Sequence, residues 1–233
     1  MEYLTKDLVL PASRRRAVIR EANAFSEQLV FESDKDTIDA LIDFWSSLLI
    51  SLDGSKEKPD REQFIKLVEP DRIFLGIEIY KLSISNTLVL TSTCDKCGEP
   101  ANYSVDLNSL DLIPLPPDMD EKSLTFTVTL PRTGHVVVLG YRTGEDELEE
   151  MNTKGFNPSR MVWKAIRSVD GSPDVRLSQV MEWPLADHVV LRKAIIDHQC
   201  GYDTRVRFTH KCGKKMVVNL LADPSFLTPG LAF

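Results

Sequence analysis

Two cysteines three residues apart are the side chains of this sequence best suited to metal chemistry. Cys94 and Cys97 belong to a C-x-x-C-G turn, with strand-like sequence on both sides of it, at residues 88–93 and 101–107. A turn of this type brings two thiolates to one ion, and Gly98 supplies the positive φ that the turn requires. Two thiolates make half of a tetrahedral site, so the remaining ligands must come from elsewhere in the chain.

A second, partial copy of the turn lies at residues 209–213, between strand-like residues 205–208 and 216–220. Aligning the two turns places Thr209 opposite Cys94, so the second turn lacks its first ligand. If the two hairpins lie side by side, they complete one closed, structural zinc site, and no other cofactor is expected. The predicted ligands are Cys94, Cys97, Cys212 and either Cys200 or His210. The alternative is that these cysteines are small buried residues without a metal.

Motifs of the common enzyme classes are absent from the sequence, which has no glycine-rich phosphate loop, no G-x-S-x-G elbow and no H-E-x-x-H pair. Asp187 and His188 fall inside a predicted helix and face different directions, so we interpret them as surface residues. The acidic run at residues 145–150 suits the first turn of a helix, where negative charge is favourable. We therefore expect a protein that is not an enzyme and has no small-molecule substrate.

Composition and charge narrow the remaining classes. The chain has 233 residues, 42% hydrophobic and 27% charged, as in a soluble globular protein. Its net charge of −7 argues against nucleic acid as the main partner, because phosphate binding needs a dense basic face. No window approaches the roughly 18 consecutive apolar residues of a membrane span, and residues 1–7 do not resemble a signal peptide. We expect a protein of a reducing cytoplasm without membrane contact.

Sequence features recur in the same order in the two halves of the chain. Three matched pairs lie 120, 117 and 115 residues apart: Leu10 with Leu130, Asp53 with Asp170, and Cys97 with Cys212. A slowly drifting offset indicates a duplication with small deletions. We predict an α+β fold of two tandem similar repeats, each with a β-hairpin, several helices and a terminal knuckle-type β-hairpin. The predicted units are residues 1–112, a proline-rich linker at 113–122, and residues 123–233.

The last residues of the sequence form an apolar segment. Residues 225–233 carry no charged side chain, which is unusual for a solvated tail. Such a segment docks either on its own domain or on another chain. The predicted partner-contact residues are Phe226, Leu227, Leu231 and Phe233.

The combined pattern resembles a viral family. Its parts are the Leu10-Pro11 hairpin with residues 18–21, the C-x-x-C-G hairpin, and residues 223–226 after the second hairpin. The sequence is similar to baseplate hub subunits and hub assembly proteins of contractile-tailed bacteriophages of the T-even type. The resemblance implies a non-enzymatic late protein, made in the host cytoplasm, whose partners are other baseplate or hub subunits. Both residence in the virion tail and a role in assembly alone stay open.

The alternative function class is a zinc-ribbon adaptor that recruits nucleic acid or a nucleic-acid enzyme. A zinc ribbon that binds the phosphates of nucleic acid needs basic residues around its turns. The lysines near the two turns are Lys96, Lys211, Lys214 and Lys215, within a chain that is acidic overall. Charge therefore favours the phage tail protein.

Overall fold

The computed structural model describes residues 2–31, 37–151 and 157–222. The elements of the first half are β1 (Thr5–Val9), β2 (Arg16–Arg20), α1 (Ala24–Phe31), α2 (Thr37–Leu48), β3 (Leu49–Leu52), α3 (Arg61–Ile65), α4 (Glu69–Ser83), β4 (Thr87–Thr93) and β5 (Pro100–Asp106). Those that follow are β6 (Leu112–Ile113), β7 (Thr125–Thr129), β8 (Val136–Gly140), α5 (Gly144–Met151), α6 (Pro158–Ala165), β9 (Ile166–Val169), α7 (Leu177–Glu182), α8 (Leu185–Asp197), β10 (Gly201–Tyr202), β11 (Arg205–Thr209) and β12 (Lys215–Asn219). Helices and antiparallel sheets are both present, which confirms the predicted α+β class. Within these ranges, no helix combines the length and the apolar composition of a bilayer crossing.

The two halves contain three-stranded antiparallel sheets of the same strand order, β1-β2-β3 and β7-β8-β9. In the central strands, β2 and β8, buried side chains alternate with less buried ones, as expected where one face covers a core. In each sheet, the pairing of the central strand with the third strand changes register once. The shift lies between Val18 and Ile19 in β2 and between Val138 and Leu139 in β8. The shared irregularity agrees with our proposal that residues 1–112 and 123–233 are repeats.

A buried aspartate holds the first turn of each sheet. Asp71, on α4, accepts hydrogen bonds of 2.8 and 3.1 Å from the backbone N–H groups of Ala12 and Ser13. Asp187, on α8, accepts the equivalent bonds, of 2.9 and 3.1 Å, from residues 132–133. Both aspartates are fully buried, so these amides replace the water that each carboxylate loses. In each half, this contact fixes a helix against the sheet.

Asp187 and His188 are therefore not the surface residues that the sequence predicts. Asp187 has no exposed surface and His188 is 5% exposed. The imidazole Nε2 of His188 donates a 2.8 Å hydrogen bond to the carbonyl of Val180, on α7. The partner of Asp187 at Arg132 lies 55 residues earlier in the chain, and helical periodicity gives no sign of such a contact.

The acidic run at residues 145–150 makes up most of α5, and its first residues form the first turn of that helix, as predicted. Glu147 pairs with Arg72 of α4. Arg142, just before α5, pairs at 3.0 Å with both Glu69 and Glu150. Burial raises the pKa of Glu69, while the Arg142 guanidinium opposes that rise. This ion-pair group joins α4 to the second half.

Apolar clusters fill each half, and a further cluster lies between the two terminal hairpins. The buried members of that further cluster are Ile77, Leu88, Leu90, Val105, Leu107 and Leu220. Val206, Phe208 and Val218 of the β11-β12 hairpin pack against it. The β4-β5 hairpin of the first half and the β11-β12 hairpin of the second half therefore share one core.

The predicted linker packs on the second half of the chain. β6, which overlaps its start, pairs with β10, so that Ile113 lies opposite Gly201. Met119 is buried in the core of the second half. The boundaries at residues 113–122 remain our proposal. The predicted contact residues Phe226, Leu227, Leu231 and Phe233 lie outside the described residues.

Candidate metal centre

The turn between β4 and β5 begins at Cys94, directly after the last residue of β4. The backbone N–H of Cys94 donates to the carbonyl of Glu99 at 3.0 Å, and the N–H of Gly98 donates back to the carbonyl of Cys94 at 2.8 Å. Gly98 adopts a φ of 72°, in the left-handed region that glycine enters without strain. These bonds hold Cys94 and Cys97 on the same tight turn.

The turn between β11 and β12 has the same hydrogen bonds with one residue fewer. The N–H of His210 donates to the carbonyl of Lys214 at 2.8 Å, and the N–H of Gly213 donates to the carbonyl of His210 at 2.8 Å. His210 follows the last residue of β11 directly, as Cys94 follows β4. His210 therefore occupies the position that Cys94 occupies in the first turn.

The alignment that places Thr209 opposite Cys94 is thus wrong by one residue. Thr209 is the last residue of β11, pairs with Lys215 and is exposed. The second turn has not lost its first ligand, because a histidine stands there and the turn is shorter. An alignment from the strand ends and from Gly98 and Gly213 would have found this.

The two turns bring four potential ligand atoms together. The sulfur atoms of Cys94 and Cys212 are 3.7 Å apart, and His210 Nδ1 lies 3.7 Å from the sulfur of Cys97 and 3.1 Å from that of Cys212. All four atoms lie within 4.8 Å of one another. In a tetrahedral zinc site with Zn–S bonds of about 2.3 Å, two sulfurs are about 3.8 Å apart. The cluster could hold a metal ion.

Burial differs among the four residues. Cys94 and His210 are buried, Cys212 is partly buried and Cys97 is exposed. Burial raises the pKa of the Cys94 thiol, but backbone N–H groups of Cys97 and Lys96, together with the side chains of Cys212 and Cys97, lower it by more, so the pKa lies below its usual value. Donors that stabilise a thiolate in this way also suit a metal-bound sulfur.

Contacts on both sides of the cluster hold the two hairpins together. The rings of Tyr103 and Phe208 are stacked, with centroids 4.2 Å apart. The Tyr103 hydroxyl lies 3.5 Å from the sulfur of Met216. At the turns, Lys211 pairs with Glu99, and Lys214 lies 3.2 Å from Asp95. The ligand positions therefore depend on packing between the halves as well as on each turn.

Cys200, the other candidate for the fourth ligand, lies elsewhere. It is buried between α8 and β10, and its neighbours include Tyr141 and Asp71. His198 ends α8, and its Nε2 lies 2.9 Å from the carboxylate of Asp118. The structure therefore brings together Cys94, Cys97, His210 and Cys212, and leaves Cys200 in the core.

The fold and the cluster define an α+β protein with a candidate structural metal centre between two hairpins. In the part of the chain that the structure describes, this is the one group of at least three metal-ligating side chains that converges on a point. Four protein ligands fill a tetrahedral coordination shell and leave no position for a substrate or a reacting water.

A family model described as T4 bacteriophage base plate protein matches residues 20–184, more than half of the chain. The chain belongs to this family, which confirms the resemblance to T4-type baseplate proteins. The matched residues include Cys94 and Cys97 and end before His210 and Cys212. No curated protein and no solved structure matches the chain.

Proposed function

We propose that this chain is a non-enzymatic component or assembly factor of the central hub of a phage baseplate, acting through contacts with other baseplate or hub subunits. The observation that carries the proposal is the match of the baseplate family over residues 20–184. A role in assembly takes place in the host cytoplasm, and a lasting role places the chain in the tail of the virion. The closed ligand set at the cluster favours a structural zinc ion over a catalytic one.

An apolar stripe on α8 supports a role in protein contacts. Leu185, Val189 and Ile196 are each more than half exposed. Their spacing of four and seven residues places them on one face of the helix. The opposite face is buried at Leu191. An exposed stripe on a helix that packs by its other face suits a partner's surface.

Complementation of a phage that lacks the chain tests this proposal. Such a phage should make no complete baseplates, and the wild-type chain should restore tails that electron microscopy can count. A chain with Leu185→Ser, Val189→Ser and Ile196→Ser should restore few tails while keeping its unfolding midpoint. Phe25→Ser, an exposed apolar residue of α1, serves as the control. Normal baseplates without the chain would refute the proposal.

Mass spectrometry of purified tails separates the two forms of the role. A hub component remains in finished tails in a fixed ratio to other baseplate subunits. An assembly factor is found in baseplate intermediates and is missing from finished tails.

The second candidate function is a zinc-ribbon adaptor for nucleic acid or a nucleic-acid enzyme, and the convergence of four ligands on two hairpins favours it. Charge argues against this function, because Lys211 and Lys214, which would have to bind phosphate, are already paired with Glu99 and Asp95. An adaptor should bind heparin at moderate salt, and a hub protein should flow through.

A further inference from the structure

We infer that one zinc ion, bound by Cys94, Cys97, His210 and Cys212, clasps the first half of the chain to the second. Each half supplies two ligands on one turn, and Cys97 and His210 are 113 residues apart in sequence. The inference rests on the structural zinc proposed above and is independent of the hub role.

The chemistry of the ligand set selects the metal. Three thiolates and one imidazole are soft or borderline ligands, which favour zinc over calcium or magnesium. The three thiols bind as thiolates, so zinc binding releases protons to the solvent, in a number set by how many thiols were protonated before. Four protein ligands satisfy the ion without a water molecule.

The histidine binds through Nδ1. This atom, at 3.1 and 3.7 Å from the two sulfurs, lies within the cluster, and the N–H of Cys212 approaches it at 3.4 Å. His210 Nε2, the other ring nitrogen, is buried and has no hydrogen-bond partner among the described residues. The backbone hydrogen bonds of the tight turn after β11 hold His210 at this position.

The clasp acts where the shared core ends. The hairpins are joined along their strands by the stacked rings of Tyr103 and Phe208. At the turns, contacts between described residues of the two hairpins outside the cluster include the ion pairs of Lys211 with Glu99 and Lys214 with Asp95, whose side chains are largely exposed. Exposed ion pairs contribute little to stability. A bound ion therefore supplies the main fixed connection between the two turns.

Zinc analysis of the purified full chain tests the ligand set. The wild-type protein should contain about one zinc ion per chain. Cys97→Ser and His210→Ala should lose most of it, while His210→Cys should keep it, because a fourth thiolate completes the same tetrahedron. Cys200→Ser, the same chemical change at a cysteine outside the cluster, should keep it too. A wild-type protein without zinc, or loss of zinc only in Cys200→Ser, would overturn the site.

Replacing zinc with cobalt in the wild-type protein tests the ligand set without relying on the folding of a variant. Wild-type protein refolded with Co²⁺ should develop the visible absorption of a tetrahedral thiolate site, and added zinc should abolish it. Failure of the cobalt protein to absorb in the visible would count against the ligand set.

Hydrogen exchange of the full chain tests the clasp separately. Removing zinc with a chelator should speed exchange of the β4-β5 and β11-β12 amides by roughly tenfold or more, and leave β1-β2 within about twofold. If zinc is present but its removal leaves the hairpin amides unchanged, the clasp is refuted and the zinc site stands. Tail complementation decides the hub role independently of both results.

Discussion

Arg72 of α4 donates a 3.0 Å hydrogen bond from Nη1 to Oε2 of Glu147, on α5, across the boundary between the halves. Arg72 is 3% exposed, and its Nε also donates to the carbonyl of Leu67. Both residues of this pair lie outside the two terminal hairpins. The halves therefore have an electrostatic contact of their own in addition to the hairpin core.

Breaking the Arg72–Glu147 ion pair should destabilise the folded protein. Arg72→Met leaves the Glu147 carboxylate without its cation and should lower the free energy of unfolding by about 3 kcal/mol. Urea denaturation measures the change. The double variant Arg72→Met with Glu147→Leu should recover part of the loss, because no unpaired charge remains. Lys193→Ala, which removes an exposed partner of Asp197, should cost at most about 0.5 kcal/mol. Additive losses in the double variant would contradict the pairing.

Asp187 should stabilise the fold in its ionised form. Burial raises the pKa of Asp187, but hydrogen bonds from Arg132 and Thr133 outweigh burial, so the pKa lies below its ordinary value. Asp187→Asn should reduce the folding equilibrium constant about tenfold near neutral pH. A depressed folded-state pKa gives stability above the unfolded pKa, and that stability is lost as pH falls through the folded pKa. The difference in the free energy of unfolding between the wild-type protein and Asp187→Asn should therefore become smaller in acid.

Asp71 is the matched control, since it makes the same two contacts in the first half. Burial raises its pKa above the ordinary value, and the hydrogen bonds from Ser13 and Ala12 only reduce that rise. Its ionised form is thus disfavoured by folding, and Asp71→Asn should cost less than Asp187→Asn near neutral pH. Equal pH dependence of the two variants would contradict this assignment.

Gly76 is required by the ring of Trp45. A β-carbon at position 76 would lie 2.8 Å from Cζ2 of Trp45, closer than packed atoms approach. Gly76→Ala should therefore destabilise the protein by about 1–2 kcal/mol, although alanine favours a helix. In a Trp45→Leu background, the same substitution should stabilise it by about 0.5–1 kcal/mol. Urea denaturation of the four proteins measures both effects, and equal effects in the two backgrounds would rule out the clash.

Cys200 should be unreactive in the native protein. Burial raises the pKa of its thiol to about 11, so only about one molecule in a thousand carries the thiolate near pH 8. Alkylation followed by mass spectrometry should find Cys200 unlabelled in buffer and labelled in urea. Equal labelling rates in the two conditions would place the thiol at the surface.

The sequence predicts the residue types of the candidate metal centre better than it predicts the alignment of the second turn with the first. The strands beside Cys94 and the glycine turn at Cys212 follow from local sequence, because alternating side chains and glycine turns are short-range signals. The position of His210 emerges only when the two turns are aligned from their strand ends, because the position of Cys212 alone does not show that the second turn is one residue shorter. The choice between His210 and Cys200 depends on how the two hairpins pack.

The sequence does not predict which polar residues are buried either. Asp187 is buried because two amides about 55 residues earlier satisfy its carboxylate, and no local pattern records such partners. The sequence does indicate the α+β class, because that class depends on periodicity and on turn residues. Periodicity assigns the face of a helix but not what covers it.

The separation of the four candidate ligands along the chain sets an order of events during synthesis. Cys97 leaves the ribosome 113 residues before His210, which at about 5–20 residues per second is a delay on the order of ten seconds. Throughout that interval the nascent chain carries a cysteine pair without its partners and an apolar hairpin face without its cover. During this interval the uncovered apolar face is open to aggregation, and the exposure ends once the last hairpin has emerged and packed.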